Sequence, residues 1–284
     1  MADNSSEGNL LTGDKFTALF DCGMAFCADD TIKNVKNALN GRSLDYLFIT
    51  HTHYDHIGAL PFFREEFPGL KLVTNETGAA VLLKDTPRRV IRELSLEAAK
   101  SKNAPSDAIY KYDSGAFRAD IIIKDGDIID LGGVGVKSVE TPGHTRDSIS
   151  YFVAEYGLLI LSETPGVLLP DGVIYPCYLT SYINTLDSIK KCAALDYKYL
   201  SLPHRGIADA EDTEGFFEKS EKSNRDCRDF ILGMRKNSPE ISDGDMLDLF
   251  FEKYASGIIL QYQPKEAFLA NARAAISCTL KEEV

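Results

Sequence analysis

The sequence lacks the features of several specialised classes of protein. Its six cysteines include no Cys-x-x-Cys pair and are spread along the chain. We therefore expect reduced thiols, several of them buried, and no disulfide framework. No segment approaches the run of about 18 apolar residues that a membrane span requires, so we expect no membrane partner.

Basic residues are too few to balance the acidic ones. The chain has 31 Lys and Arg residues against 43 Asp and Glu residues, which gives a formal net charge of −12. Nucleic-acid binding depends on clustered positive charge that displaces counterions from phosphate, so this balance argues against a nucleic-acid partner. The first residues contain neither a basic start nor an apolar stretch of the kind found in signal peptides, which predicts a cytoplasmic protein.

The remaining composition is that of an ordinary globular protein. A chain of 284 residues with 44% hydrophobic and 26% charged residues suits one large domain, or a domain with a helical appendage.

Histidine is also scarce, but its distribution is uneven. Of five histidines in the chain, three lie within six positions, as His51, His53 and His56, and Asp55 stands among them. An apolar run at residues 46–50 precedes them and is typical of a buried strand. Imidazole and carboxylate groups together suit zinc, iron and related ions. The pattern therefore predicts a metal site on a loop that leaves a strand.

Further polar residues follow three later predicted strands. His144 lies in a Thr-Pro-Gly-His-Thr block after a strand that begins near residue 134, and Glu163 follows a strand at 158–161. His204 follows the last strand, at 197–202. Strand ends that meet at one edge of a sheet commonly build catalytic sites. Beyond residue 208 the pattern changes to helices, predicted at 213–236, 243–254 and 264–280.

The ordered set of these motifs, H-x-H-x-D-H, then T-P-G-H-T, then a late P-H-x-G, resembles the metallo-β-lactamase superfamily across residues 9–206. The resemblance implies an α/β fold, an αββα sandwich with two metal ions at its edge, here extended by C-terminal helices. It implies one ligand group of His51, His53 and His144, and a second group of Asp55, His56 and His204.

Two carboxylates have further roles under this resemblance. The family usually places an aspartate between the two metals, whereas this chain offers Glu163, whose side chain is longer by one carbon bond of about 1.5 Å. Glu163 is expected to be a ligand, as a bridge or to one ion only, with a supporting position behind the ligands as the alternative. Asp21 matches a family position that supports the histidine loop from behind the ligands.

The implied chemistry is hydrolysis. Two divalent ions, zinc in the first instance with iron or manganese as alternatives, would share a hydroxide that attacks the substrate. Asp55 would act as the catalytic carboxylate that orients this nucleophile and carries its proton. Arg205 and the hydroxyl of Tyr178 or Tyr182 would hold a substrate anion or the oxyanion.

The regions outside the motifs resemble the acyl-thioester hydrolases of the superfamily, which predicts a small-molecule substrate such as an acyl thioester. A thiolate, with a parent pKa of about 8.5, leaves without a dedicated general acid, and all five histidines are already assigned. Three alternatives stay open: an iron-dependent redox enzyme resembling persulfide dioxygenases, a glyoxalase II type, and a phosphodiesterase. We predict a metallo-β-lactamase-like domain at 1–208. The helical extension at 209–284 is predicted to cover the active site or to form a homodimer seam.

Overall fold

The computed structural model describes residues 8–106, 109, 114–255 and 258–282. Residues 103–119 show no clear periodicity in the sequence, which predicts a connector, and of these 107–108 and 110–113 lie outside the described residues. Within them, none of the helices is long and apolar enough to cross a membrane.

The first β-sheet has five strands in the order β1-β2-β3-β4-β5. Strands β1 and β2 pair antiparallel, and each later neighbour pairs parallel. The strands are β1 (Asn9–Thr12), β2 (Thr17–Phe20), β3 (Tyr46–Phe48), β4 (Lys71–Asn75) and β5 (Ile121–Ile123).

The second β-sheet has six strands in the order β13-β12-β9-β8-β7-β6. Its strands are β6 (Ile128–Asp130), β7 (Gly135–Glu140), β8 (Ile149–Val153), β9 (Leu158–Ile160), β12 (Tyr199–Leu202) and β13 (Gly206–Ile207). Strands β9 and β12 pair parallel, while β8 runs antiparallel to both β7 and β9. Strands β7, β9 and β12 therefore share one direction, and their carboxyl ends reach the same edge of the sheet.

Apolar side chains fill the space between the two sheets. Phe20, Phe48 and Tyr151 form an aromatic cluster there, with ring centroids 5.1–5.3 Å apart. The Tyr151 hydroxyl donates a hydrogen bond to the Ile49 carbonyl oxygen at 2.6 Å, so the one polar atom of this buried ring is satisfied. This layer joins the sheets directly below the histidine loop.

Helices cover the outer faces of both sheets. The outer face of the first sheet packs against α1 (Ala28–Leu39), α2 (Tyr54–Ile57), α3 (Leu60–Glu66), α4 (Glu76–Leu82) and α5 (Asp85–Ser101). The outer face of the second sheet packs against α6 (Tyr182–Ala193), through Ile189 and Cys192. The layers are therefore helix, sheet, sheet and helix, and the predicted αββα fold class is confirmed.

The chain from residue 210 onward is helical. It forms α7 (Ala210–Thr213), α8 (Phe216–Asn237), α9 (Asp243–Tyr254), α10 (Ile259–Tyr262) and α11 (Lys265–Glu282). These helices share an apolar core with the sandwich, in which Phe250 and Phe268 pack with Tyr175 and Tyr178. The Glu282 carboxylate also accepts the Tyr182 backbone N–H at 2.9 Å, which fixes the end of α11 to the start of α6.

Two elements differ from the sequence prediction. The sequence predicts a loop for the Pro- and Gly-rich segment after Glu163, but this segment contains a short hairpin of β10 (Val167–Leu168) and β11 (Ile174–Tyr175). Strands of two residues are too short to produce a detectable alternation of apolar and polar residues. The predicted histidine loop likewise contains one helical turn, α2, which begins directly after His53.

Candidate metal centre

The seven predicted ligand residues meet at the strand-end edge of the sandwich. His51, His53, Asp55 and His56 follow β3, and the other three follow β7, β9 and β12 as His144, Glu163 and His204. Their nitrogen and oxygen atoms form two groups, in each of which these atoms lie within 4.8 Å of one another. One group is His51, His53 and His144; the other is Asp55, His56, Glu163 and His204.

Glu163 lies between the two groups. Its Oε2 is 3.2 Å from Nε2 of His144, in the first group. Its Oε1 is 2.9 Å from Nε2 of His56 and 2.7 Å from Nε2 of His204, in the second group. The two oxygens of one carboxylate thus face different ligand groups, which is the arrangement that a bridging ligand requires.

Asp21 holds the histidine loop in place. One oxygen of its carboxylate accepts the Thr50 backbone N–H at 2.7 Å, and the other accepts the Thr50 hydroxyl at 2.8 Å. The second oxygen also lies 2.8 Å from Nδ1 of His56. The bond from Nδ1 of His56 to Asp21 fixes the ring so that its Nε2 points at Glu163 and the second ligand group. Asp21 itself has a positive φ of 57°, a conformation that aspartate adopts more readily than most residues.

A backbone carbonyl orients His144 in the same way. The Cys177 carbonyl oxygen lies 2.7 Å from Nδ1 of His144 and accepts its proton. This leaves Nε2 of His144 unprotonated and directed at the first ligand group. Cys177 belongs to the segment just after β11, so the short hairpin contributes to the site through its main chain.

Among the described residues of this site, one buried nitrogen has no hydrogen-bond partner, and this atom tests whether the site suits a metal. Nε2 of His51 is buried and unpaired. Burial, followed by the neighbouring His56, holds the pKa of His51 well below its usual value, so the ring is neutral and its nitrogen carries a free lone pair. An unpaired buried polar atom is costly unless something satisfies it. A metal ion among His51, His53 and His144 would satisfy it, and the donor set fits such an ion.

The charges in the site divide between the two groups. Burial lowers the pKa of His144 to about 4, so this ring is neutral like that of His51. Burial alone would raise the pKa of Glu163, but His144 and the hydrogen bonds from His204 and His56 hold it well below its usual value. Glu163 is therefore a carboxylate, and with Asp55 it supplies the negative charge that divalent ions require.

Sequence reasoning missed a buried carboxylate, Asp147. Its Oδ2 accepts the Thr52 backbone N–H at 2.9 Å, and its carbonyl oxygen accepts from the Asn75 side chain at 3.4 Å. Asp147 thus ties the histidine loop to the loop that carries His144. Its position three residues after His144, next to a β-strand, was the available signal.

Three residues that the sequence placed at the substrate lie elsewhere. Arg205 pairs with Asp212 at 2.5 Å and donates to the Leu169 carbonyl oxygen, so its charge is used on the protein surface. The Tyr178 hydroxyl is 2.9 Å from that of Thr279 in the core of the C-terminal helices. The Tyr182 ring lies beneath the Arg228 guanidinium, 5.1 Å from it. None of Arg205, Tyr178 and Tyr182 is among the described residues that line the cavity over the ligands.

That cavity has a volume of about 480 Å³. Its floor consists of five of the ligand residues, His53, Asp55, His144, Glu163 and His204. Its walls are mainly apolar and come from α5, from the β10–β11 hairpin and from the C-terminal helices α10 and α11, for example Ile91, Leu94, Val167, Ile259 and Ala267. No lysine or arginine is among the lining residues in the part of the chain that the structure describes.

The comparison with known families decides the identity of this fold and site. The family model described as the metallo-beta-lactamase superfamily matches residues 9–204, well over half of the chain. The chain belongs to the metallo-β-lactamase superfamily. The resemblance inferred from the sequence motifs is thereby confirmed. Members of this superfamily are mostly metal-dependent hydrolases, and the cluster at residues 51–204 is compatible with their dinuclear metal site.

Individual superfamily members are similar to this chain at a lower level. A metallo-beta-lactamase fold-containing protein from Sulfurisphaera tokodaii is 27% identical over 204 residues, which cover 70% of this chain and 72% of that protein. An acyl-coenzyme A thioesterase from Gallus gallus is 26% identical over 160 residues, covering 56% of this chain and 52% of the thioesterase. The solved structure of a metallo-beta-lactamase family protein from Thermus thermophilus has a TM-score of 0.65 and 18% identity, and the match covers 100% of this chain and 91% of that one.

Proposed function

We propose that this protein is a metal-dependent hydrolase that cleaves thioesters or related esters with an apolar acyl group. The observation that carries this proposal is the cavity. A floor of candidate metal ligands lies beneath apolar walls, and no lysine or arginine is among the described lining residues. A site that hydrolyses phosphodiesters has to hold a substrate anion, for which Arg and Lys are the usual partners.

The ligand residues have defined tasks in this reaction. Two divalent ions, zinc in the first instance, would supply a hydroxide nucleophile at neutral pH and polarise the substrate carbonyl. Glu163 would set their separation by facing both groups. His51 and His144 are neutral and offer their Nε2 lone pairs, and Asp21 keeps the ring of His56 aligned.

Asp55 is the residue placed to handle the proton. Its Oδ2 lies 3.8 Å from Nε2 of both His56 and His204, and the residue lines the cavity floor. From there Asp55 would orient the attacking water and accept its proton. A thiolate leaving group with a parent pKa of about 8.5 needs no proton from a general acid to depart. Thioester cleavage therefore requires no catalytic group beyond those present in the site.

A panel of substrates tests this function. Zinc-loaded protein should hydrolyse apolar acyl thioesters and the matching aryl esters. It should turn over bis-(4-nitrophenyl) phosphate far more slowly. His53→Ala should abolish turnover because it removes a candidate ligand. The circular dichroism spectrum should stay like that of the wild type, because His53 is half-buried and not a core residue.

Three outcomes of this panel would contradict the proposal. Turnover of phosphodiesters without turnover of thioesters would assign another substrate class. Redox chemistry would be assigned if the purified protein contained iron, hydrolysed no ester and consumed oxygen when persulfides were added. Full activity in His53→Ala would remove the metal mechanism.

A further inference from the structure

The cavity has one polar stretch in its otherwise apolar walls. Gln263, just before α11, and Asn271, two turns into it, both line the cavity and both are half-buried. Asn271 Nδ2 donates a hydrogen bond to Gln263 Oε1 at 3.3 Å. Between them in sequence, Glu266, Ala267 and Ala270 line the cavity too, so one face of α11 forms this wall.

The pair of carboxamides has hydrogen-bonding capacity left over. Each side-chain amide carries two N–H donors and one oxygen acceptor. Their mutual bond leaves the N–H groups of Gln263 and the oxygen of Asn271 without a side-chain partner among the described residues. If both amides were flipped, Gln263 would donate to Asn271 instead. The free oxygen would then lie on Gln263, and free N–H groups would still be left. The pair therefore offers free N–H donors and a free oxygen acceptor to the cavity.

The helix that carries this pair is held firmly behind its cavity face. Phe268 and Ala272, on the opposite side of α11, are buried in the C-terminal core. At its far end, Glu282 accepts the backbone N–H groups of Tyr182 and Ile183 at 2.9 and 3.2 Å. Polar groups on a rigid helix, partly removed from water, gain most from a ligand that completes their hydrogen bonds.

We propose that Gln263 and Asn271 form a subsite for a secondary amide of the substrate. The amide N–H would donate to the free oxygen of Asn271, while the amide carbonyl, which points to the opposite side of a trans amide, would face away from the pair. This inference rests on the proposed hydrolase function and narrows it. The substrate is an ester or thioester whose scissile carbonyl lies at the metal ligands and which carries an amide group at some distance from that carbonyl.

The amide can belong to the acyl part or to the leaving group, and two matched pairs of substrates separate these cases. For the leaving group, S-hexanoyl-N-acetylcysteamine is compared with the S-hexanoyl thioester of 5-mercapto-2-pentanone, in which a methylene replaces the amide N–H. For the acyl part, the ethanethiol ester of N-acetyl-β-alanine is compared with the ethanethiol ester of 5-oxohexanoic acid. The two members of each pair have the same chain length and the same carbonyl group, and they differ only at the amide N–H.

The wild-type protein should prefer the amide-bearing member of one pair by about tenfold in kcat/KM, as expected for one hydrogen bond lost and its partner left unpaired. Asn271→Leu should reduce that preference to roughly one. Asn271→Asp, which keeps the acceptor, should retain the preference. Arg273→Leu, an exposed substitution on the same helix, should leave it unchanged.

The outcomes separate this inference from the function on which it rests. Equal kcat/KM values within both pairs for the wild type would overturn the amide subsite and leave the hydrolase intact. A preference that survives Asn271→Leu would also overturn it. If none of the four substrates is hydrolysed by protein that carries its metal, the proposed function fails and the subsite fails with it.

Discussion

Glu163→Gln is expected to lower the zinc content from two ions per chain to one and to reduce ester hydrolysis at least about 100-fold, the loss typical when a charge-stabilising group is removed. The carboxylate places one oxygen 3.2 Å from His144 and the other 2.7 Å from His204. A neutral amide keeps one oxygen acceptor but replaces the other with N–H donors. The amide oxygen can therefore bind an ion in one ligand group, while the N–H donors repel an ion in the other.

Two companion variants sharpen this test. Glu163→Asp keeps the charge and shortens the side chain by about 1.5 Å, so we expect it to retain both ions with weakened affinity. Glu252→Gln removes a carboxylate from an exposed position on α9 and should change neither zinc content nor rate. Glu163→Gln protein that holds two ions and keeps its full rate would show that Glu163 does not bridge. The measurement is zinc per chain by mass spectrometry, alongside kcat.

Gly143→Ala is expected to lower the free energy of unfolding by about 3 kcal/mol, since overpacking and backbone strain cost roughly 1–3 kcal/mol each. Gly143 has a φ of +147°, and an added Cβ would lie 2.1 Å from the Thr185 hydroxyl and 2.9 Å from its Cα. The Gly143 carbonyl oxygen also accepts the backbone N–H groups of Leu179 and Thr180. The methyl group would push α6 away from the loop that carries His144.

A second glycine provides the control for Gly143→Ala. Gly172 has a φ of +81° but no atom within 4 Å of the added Cβ, so Gly172→Ala should cost only the strain of about 1–2 kcal/mol for a left-handed residue. Urea unfolding of the metal-free proteins measures both. The Gly143 variant should also bind zinc more weakly than the Gly172 variant. Equal stabilities and equal zinc affinities would contradict the role assigned to Gly143.

The cluster of candidate metal ligands could be predicted from the sequence because its signal is local. His51, His53, Asp55 and His56 stand within six positions, and each of the other three follows an apolar run that ends in a loop. A strand followed by its loop can be recognised without knowledge of the tertiary structure. The parallel direction of β7, β9 and β12 then brings these loops together at one edge of the sheet.

The substrate contacts could not be predicted in the same way. Arg205, Tyr178 and Tyr182 lie near ligands or near the Tyr-rich loop in sequence, but partners from distant helices determine where their side chains point. Asp212 holds Arg205, and Thr279 meets the hydroxyl of Tyr178. Much of the cavity wall is built by α5 and α11, two helices far apart in the chain. Their juxtaposition depends on packing that no short sequence pattern encodes.

The zinc content of the wild-type protein, measured with its rate of thioester hydrolysis as zinc is titrated into metal-free protein, tests the central claim most directly. The arrangement of Glu163 between two ligand groups predicts two ions per chain, with full activity reached only when the second is bound. Full activity with a single ion, or hydrolysis that persists in the metal-free protein, would contradict it.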